Sequence, residues 1–202
     1  MKGVSSVSAN TVVAATDLSE ASAKAVEQAA LLAKQWNAEL TLLHVFNEEG
    51  WKALMALFED ESSVGSDPYV KAKGVLLRLA EEIEARHGVA TKGEIRIGAV
   101  AAEIAAYCRG ANPRLLVVGE HADDWIGDSL VGGTVVRLLK LVDIPVFLAR
   151  GPEKASFSEI LVGTDFSESA KRAAMLSMSW FPKASHKIVH AYHVAFEGFL
   201  RM

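Results

Sequence analysis

Apolar residues in this chain fall into short β-branched runs separated by stretches of helical spacing. Thr11-Val-Val-Ala-Ala-Thr16 reads as a first buried strand. Asp17-Leu-Ser-Glu20 then supplies cap-type residues for a helix that runs to about Trp36, with Ala25, Ala29, Leu32 and Ala33 on its sheet-facing side. Glu39-Leu-Thr-Leu-Leu-His-Val45 is the second strand. In residues 46–66, Trp51, Leu54, Met55 and Phe58 predict a short surface helix, and the polar Glu59 to Ser66 predicts a loop. Asp67-Pro68 opens a helix that continues through Leu76, Leu77, Leu79, Ala80 and Ile83 and stops at Gly88. Glu94–Ile97, Leu115–Val118 and Ile144–Leu148 are read as strands and Val100–Tyr107 and Thr134–Leu141 as helices, with Pro145 placed at the start of an edge strand. Five strands alternating with helices predict an α/β fold: a five-stranded, mostly parallel sheet covered by helices on both faces.

Composition narrows the class of function. Half of the 202 residues are apolar, which is enough for a real core, and the net charge of −4 comes from scattered acids and bases. Without a Lys/Arg block the chain has no footprint for nucleic acid or an anionic membrane. The first ten residues lack a signal-peptide core, and no apolar run approaches the roughly 18 residues of a membrane helix, so a cytosolic protein is expected. The single cysteine, Cys108, sits in a helical pattern and reads as a small buried apolar residue.

Candidate chemistry concentrates between the fourth strand and the helix after it, from Gly119 to Thr134. A loop from a strand's carboxyl end to a helix's amino end is where open α/β sheets bind ligands, and glycines there let backbone N–H groups approach phosphate. Gly132 and Gly133 serve equally well as a simple chain turn. No Gly-x-Ser-x-Gly, Walker A or Gly-x-Gly-x-x-Gly motif occurs, and Asp17 lacks the acidic neighbour of a receiver domain. His44 ends a strand, as a packing residue or as part of a pocket. His190 and His193, three apart on a strand, face opposite sides of it and make a poor metal pair.

After Gly151-Pro152 the opening pattern returns. Ile160-Leu-Val-Gly-Thr164-Asp165-Phe-Ser167-Glu168 repeats Val12-Val-Ala-Ala-Thr16-Asp17-Leu-Ser19-Glu20, 148 residues later, and one inserted residue would lay His193 on His44. The repeat carries a β-α-β start without a counterpart of the glycine loop. Its apolar helix positions Ala173, Ala174 and Leu176 are expected to need a covering partner.

Thr-Asp-x-Ser-Glu after the first strand, the βα alternation, Val117-Val-Gly-x-His121 closing on glycines and a final Ile144-Pro-Val-Phe-Leu148 strand together resemble the universal stress protein family. The resemblance covers residues 9–150 and the start of a second copy. It implies an adenine nucleotide alpha hydrolase-like, Rossmann-like domain at 1–150 and an incomplete second repeat at 157–202, as in a tandem member cut short. ATP-binding members carry Gly-x2-Gly-x9-Gly-Ser/Thr. Here Gly119 takes the first glycine, Ala122 the second and Gly132 the third; Gly133 falls on the hydroxyl position and Thr134 comes one step late. The family's ribose and adenine contacts fall on Asp17 and Val45, so the implied nucleotide-binding set is Asp17, Val45, Val118, Gly119, Gly132, Gly133 and Thr134, with no catalytic residue and no metal site.

The loop also carries Glu120, Asp123, Asp124 and Asp128 and no Lys or Arg before Arg137. A like charge at ~6 Å opposes phosphate binding by roughly 3 kcal/mol at a dielectric of about 20, more than the about 0.3–1 kcal/mol of a helix terminus. Magnesium enters only with ATP, on Asp123 and Asp124. His121-Ala-Asp123-Asp-Trp125 resembles the subgroup that does not bind ATP, with Trp125 able to fill the phosphate space. Two expectations result. One is a non-enzymatic stress-response module acting through dimer or tandem assembly and partner binding, paired at the edge strand Val146–Leu148, with weak or absent ATP binding. The alternative is an ATP-binding switch with slow or no hydrolysis.

Overall fold

Strands too apolar to face water on either side are stable only between two helical layers, and the chain builds that arrangement. The computed structural model describes residues 9–49, 51–52, 68–119 and 133–192. Its first compact unit, Met1–Ala155, holds β1 (Ala9–Ala15), α1 (Glu20–Gln35), β2 (Glu39–Phe46), α2 (Pro68–His87) and β3 (Thr91–Ile97). It continues with α3 (Val100–Ala111), β4 (Pro113–Gly119), α4 (Gly133–Leu141) and β5 (Val146–Ala149). The sheet order is β3-β2-β1-β4-β5, every neighbouring pair is parallel, and β5 forms one edge. Val13, Leu43, Leu116 and Val118 pack on one face against Ile104 and Cys108 of α3 and Val135 and Leu138 of α4. By alternation Val12, Ala14, Leu40, Leu42 and Val117 face the other way, toward α1 and α2, and all are fully buried. Glu27 of α1 accepts from Arg86 and His87 at the end of α2, joining the two helices of that layer.

Boundaries depart from the sequence reading for local reasons. β3 begins at Thr91 rather than Glu94, because backbone pairing with Leu40, Thr41 and Leu42 carries Thr91, Lys92 and Gly93 into the sheet despite their weak strand character. α3 runs one turn past Tyr107 and ends where Asn112 takes the left-handed conformation (φ 44°). Pro145 lies just before β5 rather than within it. Its carbonyl accepts from Leu116 N–H at 3.0 Å, and the strand proper starts at Val146. Gly88 closes α2 at φ 67°, as expected. Asp67 and the surface helix expected around Leu54, Met55 and Phe58 lie outside the described residues. Among those described, no helix is long and apolar enough to cross a membrane.

The second unit, Ser156–Met202, holds β6 (Glu159–Gly163), α5 (Glu168–Trp180) and β7 (Ser185–Val189), with β6 and β7 parallel. It repeats β1-α1-β2 in detail. Leu18 and Phe166 both take φ 64°, and the hydroxyls of Thr16 and Thr164 accept from the backbone N–H two residues on, at 3.0 and 2.9 Å. Ser19 and Ser167 are both N-caps. The expected alignment of His193 with His44 is corrected: Thr16 N–H donates to Leu43 O and Thr164 N–H to Val189 O, so His190 occupies the place of His44. The two histidines then make the same bond, Nδ1 to the carbonyl of Thr16 at 2.8 Å and of Thr164 at 2.7 Å. α5 is shorter than α1, so the second copy loses residues where the sequence alignment inserted one.

Candidate functional site

The first site residue is placed by the turn that ends β1. Thr16 Oγ accepts from Leu18 N–H, which supports the left-handed Leu18 and returns the chain toward α1. Asp17 Oδ1 then accepts from Ser19 N–H (3.0 Å) and Ser19 Oγ–H (2.6 Å), while Ser19 Oγ caps α1 by accepting from Ser22 N–H at 3.2 Å. Helix cap and carboxylate are therefore one hydrogen-bonded unit, and the Asp17 side chain is fixed at the end of the strand. From the opposite layer His44 donates its Nδ1–H to Thr16 O, and its ring stands edge-on to Phe46 at 4.4 Å. His44 is buried and takes no part in the cavity, so its role is to hold the turn.

A cavity of about 250 Å³ opens at the carboxyl ends of β1, β2 and β4, on the α3/α4 side. There β1 has β2 on one side and β4 on the other, the crevice where open α/β sheets bind ligands. Asp17, Val45, Val118, Gly119 and Thr134 all line it, so five residues named from sequence converge. Gly133 instead begins α4, exposed, with nothing near a Cβ built on it. Gly132, and with it Glu120, His121, Ala122, Asp123, Asp124, Trp125 and Asp128, lies outside the described residues. Although Thr134 comes one step late for the motif, its side of α4 still borders the cavity.

The sequence reading missed Asn47, Val100 and Ile104, which complete the walls. Asn47 was within reach, since it lies two residues past Val45 and a period of two keeps both on one side. Ile104, Val135 and Leu138 belong to the core cluster and also line the cavity. Among the described residues Asp17 is the one charged side chain on the wall, which carries no lysine or arginine. No cluster of three His, Cys, Asp or Glu side chains that could hold a metal ion occurs among the described residues.

Fold and cavity together define an open α/β protein with a ligand crevice at the switch point of its sheet. A sequence profile of the universal stress protein family matches residues 9–150. Universal stress protein YxiE of Bacillus subtilis is 30% identical over 150 residues, 70% of this chain and 99% of that protein. A universal stress protein of Methanocaldococcus jannaschii is 26% identical over 152 residues, 71% of this chain and 83% of that protein. The chain belongs to the universal stress protein family. Solved structures agree on the fold. One from Archaeoglobus fulgidus DSM 4304 covers 96% of this chain and 71% of its own, with a TM-score of 0.66 and 23% identity. Another universal stress protein, in complex with cAMP, covers 71% of this chain and 98% of its own, with a TM-score of 0.51 and 18% identity.

Proposed function

We propose that this chain is a non-enzymatic, cytosolic stress-response module that works through assembly and partner binding. In this reading its switch-point cavity receives the nucleoside part of an adenine nucleotide and grips a triphosphate weakly or not at all. One observation carries it: Asp17 and Val45, the ribose and adenine contacts the family resemblance implies, line the cavity, whereas among the described residues no lysine or arginine does. The binding of cAMP by a protein of the same fold supports a nucleotide ligand. Partner binding is assigned to β5, an edge strand of the described sheet, where a second copy adds its own edge strand, and to the second unit, read as an incomplete repeat. Thr134 on the cavity wall favours the second reading, an ATP-binding switch with slow or no hydrolysis, in which its hydroxyl and the start of α4 meet the phosphates.

Calorimetry with ATP, with and without magnesium, separates the readings. Wild type is expected to show no binding below millimolar, and Ala122→Gly with Gly133→Ser to bind measurably tighter, since position 133 has open space for a side chain. Micromolar ATP binding by wild type would establish the switch instead. Light scattering at tens of micromolar tests the assembly, and a clean monomer would remove the dimer.

A further inference from the structure

We infer that a groove between α1 and α2, on the face of the sheet opposite the switch-point cavity, binds a free α-amino acid with a branched apolar side chain. The groove encloses about 240 Å³. Leu18 of the β1–α1 turn, Ala23 of α1 and Val75 and Leu79 of α2 give it an apolar lining. Val75 is still 42% exposed, so a ligand there removes apolar surface from water. Leu18 is the strained member. It takes φ 64°, a region that suits glycine or asparagine better than a bulky side chain, and such strain is kept where the surroundings make use of it. The second unit keeps the feature too, with the large apolar Phe166 at the same φ.

Two opposite charges, Arg78 and Glu82, line the same groove. Residues four apart on a helix have Cβ atoms about 5–6 Å from each other, close enough for opposite charges to meet. These two form no ion pair with each other. Arg78 lies back along α2, its Nη1 3.6 Å from where a Cβ on Gly74 would stand, and so turns away from Glu82. The space between guanidinium and carboxylate suits a molecule that carries an anion and a cation side by side. An α-amino acid does: its carboxylate accepts from Arg78, its ammonium donates to Glu82, and its side chain lies on Leu18, Val75 and Leu79. A ligand with one charge alone meets a like charge on the neighbouring residue. The volume fits a small molecule, being below the about 300–1,000 Å³ of sites for larger ligands. The groove also adjoins the switch-point cavity through the turn. Thr16 lines both, and Ser19, which lines the groove, holds Asp17 of the cavity by its N–H and Oγ–H. An occupant of the groove therefore bears on the anchor of that carboxylate.

The test is methyl and amide NMR of the full chain titrated with L-leucine to about 20 mM, beside glycine, leucinamide and 4-methylpentanoate, which lack in turn the side chain, the carboxylate and the ammonium. Leucine is expected to bind in the millimolar range, with saturable shifts at Leu18, Ala23, Val75 and Leu79 that extend to the amides of Asp17 and Ser19. Leucinamide and 4-methylpentanoate should each bind about 2- to 5-fold more weakly, for the loss of one surface ion pair, and glycine at least ~10-fold more weakly, for the loss of the covered side chain. Arg78→Gln and Glu82→Gln, both at exposed positions of α2, should each weaken leucine about 2- to 5-fold and leave the melting temperature unmoved. Four results would each overturn the inference: no shifts at about 20 mM leucine, shifts at Val45, Val118 and Val135 in place of the groove residues, 4-methylpentanoate binding as tightly as leucine, or both variants binding as wild type does. The nucleotide reading of the switch-point cavity is decided separately, by the ATP calorimetry.

Discussion

Cys108 shows how one side chain carries both the fold and a measurable pH dependence. It lies in the layer between α3 and the sheet, and burial pushes its thiol from an ordinary value of 9.0 up to about 11. In the unfolded chain the thiol ionises near its ordinary value, so between about pH 9 and 11 the unfolded state loses a proton that the folded state keeps. Stability from this group is complete below pH 9 and falls as pH rises toward 11, by about 3 kcal/mol over the interval. Urea titrations at pH 8, 9.5 and 11 should show that decline in wild type and not in Cys108→Ala; equal slopes would mean that the thiol is not buried. The buried character of Cys108 was legible in the helical pattern around it. That of His44 was not, because packing in the core and lining a pocket need the same residue at the same strand end. The bond to Thr16 O settles it as the support of the turn.

Between elements, spacing is set by residues whose role shows only in packing. Gly93 falls just outside the strand read from sequence as Glu94–Ile97. It lies inside β3, where a Cβ would come within 2.8 Å of Leu76 Cγ on α2. Gly93→Ala should therefore cost about 1–3 kcal/mol by pushing helix from sheet, whereas Gly133→Ala, in open space at the start of α4, should be neutral or gain up to about 1 kcal/mol. Denaturant midpoints of the two variants check the contrast, and equal midpoints would refute the close approach. The repeated β-α turn was legible as Thr-Asp-x-Ser-Glu, because a cap needs its hydroxyl and acid at fixed positions. The pairing of His190 with His44 was not. Where a helix loses residues, sequence similarity can slide by several positions, and only the backbone bonds from Thr16 and Thr164 restore the match.

The whole molecule divides into two units of unequal self-sufficiency. The first buries both faces of its sheet. In the second α5 has no fully buried residue, and Leu161, Met175 and Ile188 are 67%, 62% and 61% exposed. The two strands and one helix described there bury too little apolar surface to be stable alone, and the expectation that a partner covers them is tested by removing the unit. A clean removal must begin at Ser156, because Gln28 of α1 holds Lys154 by two bonds, Nε2–H to the carbonyl at 3.0 Å and Oε1 from the N–H at 2.8 Å. The shortened chain, 1–155, should keep its helical signal and change its elution volume or solubility in light-scattering chromatography; unchanged behaviour would mean that the second unit takes no part in assembly. The sequence by itself determined the α/β class, the order of strands and helices, the repeat and five of the cavity's residues, because hydrophobic period, cap chemistry and strand-end position are local properties. Tertiary structure alone decided that Val100 and Ile104 join them, that His44 stands behind the turn instead of in the cavity, and that no cation reaches the described wall. Those facts depend on which strands become neighbours and which helix covers which face, and residues distant in the chain, such as Asp17 and Val100, meet only once the sheet has closed around them.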